Sequence, residues 1–314
     1  MDASRRRLLK GMGALGLLGL AGPLAAETAL LLPGSTKPRW PQPIAWRNWS
    51  GAQTCLPAAR LGPANEAELA ELLRAAKGTV RPVGSGHSFS ALVPTDDTIV
   101  SLARMSGMIG HDTRALTSEW WAGTPMSQMG APLAAAGLAL PNMADIDYQT
   151  LAGALATSTH GSGVDYGSYS TQVAGLRLVT AAGDTVDCDA QHHPEIFAAA
   201  RCGLGALGVV TRVKLANRRA FKLRRKEWVQ DWRELLEDMP RLLKEHQHFE
   251  MDVLLHSNVA LAVATDETTD PRVIPKAPGG DVKNVALLKR VHDGWRDSPR
   301  AYARIIDFVA KHVI

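Results

Sequence analysis

The sequence predicts an α+β protein, and three observations carry the prediction. Short apolar runs with strand character alternate with amphipathic helical stretches between Asn65 and Leu215. Two loops, Arg81-Pro-Val-Gly-Ser-Gly-His87-Ser-Phe-Ser90 and Thr157-Ser-Thr-His160-Gly-Ser-Gly163, each pack glycines and small hydroxyl residues around one histidine. The composition changes at Arg218, after which strand and helix patterns resume.

The elements follow in order. Residues 27–63 are rich in Pro and Trp (Trp40, Trp46, Trp49) without a clear period and read as an extended arm. Asn65, with Glu68 three residues on, reads as a capping-box start to a helix striped by Leu69, Leu72 and Leu73 and ended by Gly78. Thr79 to Val83 is a strand delivering the first glycine loop, and Ile99 to Leu102 is another. Pro125 to Ala136 reads as a helix with Pro near its first turn and Gly137 behind it. Leu151 to Ala156 leads into the second histidine loop. Val173 to Thr180, Ala-Ala-Gly-Asp and Thr185 to Cys188 form a hairpin pattern. Pro194 to Cys202 is a helix and Val209 to Leu215 a strand. Beyond it, Trp228 to Lys244 reads as an amphipathic helix, and Phe249 to Leu255 with Val259 to Ala264 as a hairpin around Ser257-Asn258. Residues 265–284 have loop composition, and the rest is helix-like to Ile314.

Length and charge bound the function classes. A chain of 314 residues with 46% hydrophobic content has room for two domains with real cores. The formal net charge is +4, but residues 1–26 hold Arg5, Arg6, Arg7 and Lys10 against Asp2, a net +3, so the remainder carries +1. That is no footprint for nucleic acid. The first residues, Ser4-Arg5-Arg6-Arg7-Leu8-Leu9-Lys10 followed by an apolar run from Gly11 to Ala26, have the form of a twin-arginine export signal, which places the protein in the periplasm or beyond. The run is short for a membrane span. Cleavage after Ala26 puts Leu24 where a small residue is preferred, so an uncleaved inner-membrane anchor stays open beside the cleaved form; a basic start to a buried helix is the other reading. Three cysteines, Cys55, Cys188 and Cys202, make neither a disulfide framework nor a metal spacing; one bridge or three free thiols both fit.

Two charged or glycine-rich stretches have bland alternatives. Gly203-Leu-Gly205-Ala-Leu-Gly208 matches the G-x-G-x-x-G string of nicotinamide-dinucleotide folds, but a helix pattern precedes it and a strand pattern follows, the reverse of the order that motif needs. Arg218, Arg219, Lys222, Arg224, Arg225 and Lys226 read as a solvated strand face joining two domains or as a patch for an anionic partner.

The two histidine loops carry the chemistry. Backbone that approaches a pyrophosphate closely needs residues without bulk, and clustered N–H groups form an anion-binding nest. With Trp121-Ala-Gly-Thr, Leu133-Ala-Ala-Ala-Gly-Leu-Ala-Leu-Pro-Asn142, Ala152 to Gly163 and Gly203 to Thr211 in order, the loops make a set that resembles the FAD-binding domain of the vanillyl-alcohol oxidase superfamily, in its sugar-lactone and alditol oxidase branch. The resemblance runs from Pro57 to Asn217, and more weakly from Phe249 to Asp270.

It implies a two-subdomain PCMH-type FAD-binding domain followed by a partial α+β cap. The division is 1–26 signal, 27–56 arm, 57–217 FAD-binding domain and 218–314 partial cap. It also implies FAD bound covalently through His87, since the histidine of the first loop bonds to the flavin 8α-methyl group in that branch; a His87 that only hydrogen-bonds is the other reading. Val83, Gly84, Ser85, Gly86, Ser88, Thr150, Gly153, Thr157, Ser158, Thr159, His160, Gly161, Gly208 and Val210 are the further cofactor-binding candidates, with His160 bracing the second loop. Asp145 stands where relatives place a residue beside the isoalloxazine; it bonds substrate hydroxyls or caps a turn. Ala144 stands where residue size bears on oxygen access.

The implied reaction is oxidation of an alcohol carbon of a sugar lactone or polyol by hydride transfer to flavin, with oxygen or a redox carrier as acceptor. Such a reaction needs a base for the hydroxyl proton, which in relatives lies in the part of the cap beyond this sequence. Glu250 and His256 are the substrate-side candidates, with hairpin surface the other reading of both; Glu250 and Asp145 are the catalytic candidates. The family's His-Trp-Gly-Lys element does not occur, so the cap reads as truncated, and a flavin-binding remnant or a partner chain supplying the missing cap is the alternative. A cell-wall precursor reductase shares this FAD fold but needs NADPH in the cytoplasm, which the export signal opposes.

Overall fold

The computed structural model describes residues 44–255, 257–273, 280–295 and 297–312. The arm is not featureless. β1 (Trp46–Arg47) pairs antiparallel with β2 (Thr54–Cys55), and β3 (Ala59–Leu61) belongs to a separate three-stranded sheet. Helix α1 (Glu66–Ala75) starts at the expected cap: the Asn65 side chain accepts from Glu68 N, and Glu68 Oε2 accepts from Ala64 N. It buries Leu69, Ala70 and Leu73. Gly78 does not end it; Ala76 does. A side chain at Gly78 would collide with the Asp97 carboxylate, 2.6 Å from its Cβ position, and Asp97 accepts from Thr79 N. The glycine makes room for the chain entering β4 (Val80–Val83), which lies parallel to β5 (Thr98–Ser101) in the order β3-β5-β4.

A five-stranded antiparallel sheet forms the main layer. Two of its strands, β6 (Met108–Asp112) and β7 (Thr117–Trp121), were not foreseen, because Met-Ile-Gly-His-Asp lacks alternation. The expected helix over 125–136 is a 3₁₀ turn, Met126–Gln128, then a short α2 (Gly130–Ala135). Its first N–H groups are diverted sideways, Met126 N to Gln149 O and Ser127 N to Asp147 O. After β8 (Leu138–Ala139), α3 (Leu151–Ala156) is a helix in its own right. β9 (Val173–Val179) and β10 (Thr185–Asp189) make the expected hairpin, with Gly183 at φ 79° in its turn. α4 (Pro194–Ala200) and β11 (Val209–Ala216) complete the layer, in the order β10-β9-β11-β7-β6. β11 turns Val209, Thr211, Val213 and Leu215 into a core shared with Trp120, Met126, Met129, Leu151 and Leu69.

A second, smaller core follows. β12 (Arg218–Arg219) pairs with β8, and β13 (Leu223–Asp231) runs antiparallel to β15 (Val259–Glu267) over nine residue pairs. The expected helix from Trp228 is therefore wrong at its start. Trp228–Asp231 finish a strand, and α5 (Trp232–Glu245) begins where the Asp231 side chain accepts from Arg233 N. Leu235 and Leu242 pack with Phe249, Ala260, Ala262 and Ala264. β14 (His248–Val253) lies on the other side of β15, giving the order β13-β15-β14. β15 runs on to Glu267 and α6 (Gly280–Trp295) starts inside the expected loop; α7 (Pro299–His312) follows.

Five of the six residues of the basic run have partners within the chain: Arg218 with Glu267 (2.6 Å), Arg224 with Asp270, Arg225 with Glu227, Lys222 with the carbonyls of Thr269 and Asp270, and Lys226 over the Trp228 ring. It reads as the solvated strand face. The three cysteines are free thiols, Cys188 buried and Cys202 exposed. Among the described residues no helix is long and apolar enough to cross a membrane.

Candidate active site

The first histidine loop leaves β4 and is held from two sides. Gly84 must be glycine because a Cβ there would lie 2.0 Å from Thr150 Oγ1. Gly86 turns the chain at φ 68°, and its carbonyl accepts from Trp49 N (2.8 Å). Asn48 Nδ2 donates to Ser88 O and Gln53 Nε2 to Phe89 O, so the β1–β2 segment of the arm is a brace for this loop. The His87 ring lies between two near-parallel rings, Trp49 at 5.0 Å and Tyr148 at 6.2 Å.

The second loop leaves α3. Thr157 caps the helix with its Oγ1 donating to Gly153 O, and Ser158 at φ 54° makes the turn to Thr159. Gly161 lies against the segment 142–144: a Cβ there would be 2.0 Å from Met143 O. That segment is itself hung from buried groups. Gln172 Nε2 donates to Asn142 O, and Ala144 N donates to the Tyr169 hydroxyl (2.8 Å). Burial pushes the Tyr169 phenol above its usual range. His160 Nδ1 lies 3.0 Å from Gly161 O, and its ring is exposed.

Three joined cavities lie along these loops. A cavity of about 410 Å³ is walled by Leu102, Ala122, Ala152, Leu204, Val209 and Val210, with Val83, Gly84, Ser85, Thr150, Gly153 and Gly208 along one side. Val83, Gly84, Ser85, Thr150, Gly153, Ala156 and Leu204 also line a neck of about 110 Å³, which adds Gly86, His87, Ser88 and Thr157. His87 and Gln149 pass the neck on to a wide cavity of about 740 Å³ that holds Asp145, Thr159, His160, Gly161 and Glu250. Gly203–Gly208 follows α4 and precedes β11, in the order opposite to a nicotinamide site, and its Leu204 (φ 52°) and Gly205 (φ 78°) line the first cavity.

The wide cavity draws on both cores. Glu250 reaches it from β14, with Ser162 Oγ donating to its Oε1 at 2.9 Å. His248 Nδ1 lies 2.9 Å from Ser162 O, and its ring stacks on Tyr166 at 5.1 Å. Asp145 is exposed on the lining of the same cavity and has no hydrogen-bond partner among the described residues. His256 lies outside the described residues.

Sequence reasoning missed Trp49, Tyr148, Ser162 and Gln149. Two had a signal: Ser162 as a hydroxyl within the second histidine loop, and Gln149 as a polar amide directly before Thr150 and the small-residue helix. Its Nε2 donates to Thr159 Oγ1 (3.0 Å), while its buried Oε1 has no partner.

The run of cavities fits an elongated dinucleotide: a first cavity walled largely by aliphatic side chains, a neck of glycines and hydroxyls, and a wide end that carries His87, Asp145, His160 and Glu250. The glycines admit no side chain without collision at Gly84 and Gly161, and the orphaned Gln149 oxygen marks a missing donor. The residues present fit FAD.

Comparison with known proteins agrees with that fit. Residues 57–189 match the family model described as FAD binding domain. An L-gulono-1,4-lactone dehydrogenase of Mycobacterium tuberculosis is 37% identical over 221 residues, covering 69% of this chain and 50% of that protein. An L-gulonolactone oxidase of Scyliorhinus torazame is 32% identical over 231 residues, 72% of this chain and 52% of that protein. A D-arabinono-1,4-lactone oxidase of Eremothecium gossypii is 34% identical over 200 residues, 62% and 38% of the two chains. The chain thus spans about half the length of the first two relatives, and less of the third. Among solved structures, a cholesterol oxidase from Brevibacterium sterolicum shares the fold, with a TM-score of 0.68 at 17% identity over 89% of this chain and 60% of that one.

Proposed function

We propose that the protein, whose residues 57–189 match the FAD binding domain model, is an FAD-dependent oxidoreductase acting on an alcohol carbon of a sugar lactone or polyol. The observation that carries this reading is the meeting of His87, Asp145, His160 and Glu250 in one cavity, which opens through the neck onto the glycine loops. FAD bound here would supply the redox chemistry of alcohol oxidation, with oxygen or a redox carrier as final acceptor.

The chain's own residues bind and orient. The glycines and hydroxyls of the neck (Gly84, Ser85, Gly86, Ser88, Thr157) receive the pyrophosphate, and the first cavity takes the adenine end. His87, held between Trp49 and Tyr148, would carry the covalent link to the flavin ring. The carboxylates of Asp145 and Glu250 accept hydrogen bonds from substrate hydroxyls in the wide cavity, and Ser162 holds Glu250 in place. Residues 1–26 lie outside the described residues. On this reading they direct folded, flavin-loaded protein through the twin-arginine route, with or without cleavage.

The test is anaerobic mixing of the flavin-loaded protein with sugar lactones and polyols, watching the visible flavin band. A substrate of these classes should bleach it, and Glu250→Gln should slow bleaching by about tenfold or more with flavin content unchanged. Flavin that stays oxidised with every lactone and polyol would contradict the reading. It would favour a second one, in which a partner chain completes the substrate side. The open edges of β13 and β14, which have no further strand partner among the described residues, support that alternative.

A further inference from the structure

One buried polar atom in the cleft is left without a partner by the protein itself. Gln149 sits where the neck meets the wide cavity and lines both. Its orientation is fixed from both ends. The backbone carbonyl accepts from Met126 N (2.8 Å), and the side-chain Nε2 donates to Thr159 Oγ1 (3.0 Å). Thr159 Oγ1 is in turn within 3.3 Å of Thr157 Oγ1, whose hydrogen bond goes to Gly153 O. With its amide nitrogen so engaged, Gln149 turns an acceptor-only oxygen into a buried position with no donor to meet it. Leaving a buried acceptor unmet is destabilising, so a native fold keeps one where a ligand or water completes it.

We propose that Gln149 Oε1 is a cofactor contact that accepts a hydrogen bond from a hydroxyl of the ribityl chain of FAD. The inference rests on the FAD reading of the cleft and assigns within it a residue and an atom. The order of groups along FAD selects the donor. The pyrophosphate carries acceptors only at neutral pH and belongs with the glycines and hydroxyls of the neck. The flavin ring belongs in the wide cavity beside His87. The ribityl chain is what spans the junction between them, and its hydroxyls are the donors available there. The ring offers a single competing donor, its N3–H group.

The test compares the full chain carrying His87→Ala with the same protein carrying Gln149→Leu or Gln149→Glu in addition. The His87→Ala background makes retention report contacts and not a covalent bond. Far-UV circular dichroism checks the fold, and FAD titration gives the affinity. Gln149→Leu removes the acceptor and should weaken FAD retention about tenfold or more. Gln149→Glu keeps an acceptor, can take a hydrogen bond from the Thr159 hydroxyl, and should restore most of the affinity. The midpoint potential and visible spectrum of the residual bound flavin should stay as in the parent, because a ribityl contact does not touch the ring. Equal FAD affinity in the parent and the Leu variant would overturn the inference alone. A weaker affinity with a shifted potential would overturn the ribityl assignment in favour of N3–H. A parent protein that binds no FAD would overturn this inference and the FAD reading together. If the Leu variant fails to fold, an intact Gln149→Glu protein without FAD affinity is also contradictory.

Discussion

Glu66 is the first residue of α1, and its carboxylate ties that helix to the five-stranded sheet. It accepts from Arg212 (2.7 Å) and from Thr211 Oγ1 (2.7 Å), with Arg177 at 3.7 Å. Burial works to raise its pKa; the hydrogen bonds from Arg212 and Thr211 and the charges of Arg212 and Arg177 outweigh that and hold it below the carboxylate value of 4.5. A carboxylate depressed in the folded state adds stability above its unfolded pKa, and that stability is lost as pH falls through the folded value. Glu66→Gln should therefore lower the thermal midpoint at pH 7, by about 1–3 kcal/mol of stability, and the gap to the parent should close as pH drops below about 4.5. A gap of the same size at pH 7 and pH 3 would contradict the account. Residues differed sharply in how legible they were. His87 stood out through loop composition, and Glu250 through the resemblance of its hairpin to the family's cap. Trp49 and Tyr148 did not, because they meet His87 only once the arm and the 142–149 segment have closed over the loop.

Elements repeat the lesson at a longer range. The capping box of α1, the β9–β10 hairpin and the alternation of β11 were legible because each is decided within a few residues. The boundary between β13 and α5 was not. Trp228 and Val229 continue the apolar spacing of the helix backwards, and only nine-residue pairing with β15 assigns them to a strand. The two histidine loops also depend on distant segments. Gly161 has room for no side chain because the 142–144 segment, held by Tyr169 and Gln172, passes against it. Gly161→Ala should cost about 1–3 kcal/mol by overpacking and should reduce flavin content, read by thermal unfolding and by flavin released per chain. Gly130→Ala, at a helical position with open space around it, should change neither. Equal behaviour of the two variants would contradict the packing argument.

At the scale of the molecule, two cores meet at a polar seam. Ser162 contributes its hydroxyl to Glu250 and its carbonyl to Asn142 and His248; Tyr166 stacks on His248; Arg218 pairs with Glu267 across the change in composition. The seam makes the wide cavity a joint product, with the His87 loop from one core and Glu250 from the other. Composition alone located the change near Arg218, but not that β14 would bring an acid to the same cavity as His87. The central claim is that the joined cavities hold one FAD with its ring beside His87. The most direct measurement expresses the full chain, denatures it in acid and looks for flavin fluorescence on the protein band, with His87→Ala alongside. The account predicts fluorescence on the parent band and its loss in the variant, with the variant still releasing free flavin. A folded parent protein that carries no flavin, bound or released, would contradict it.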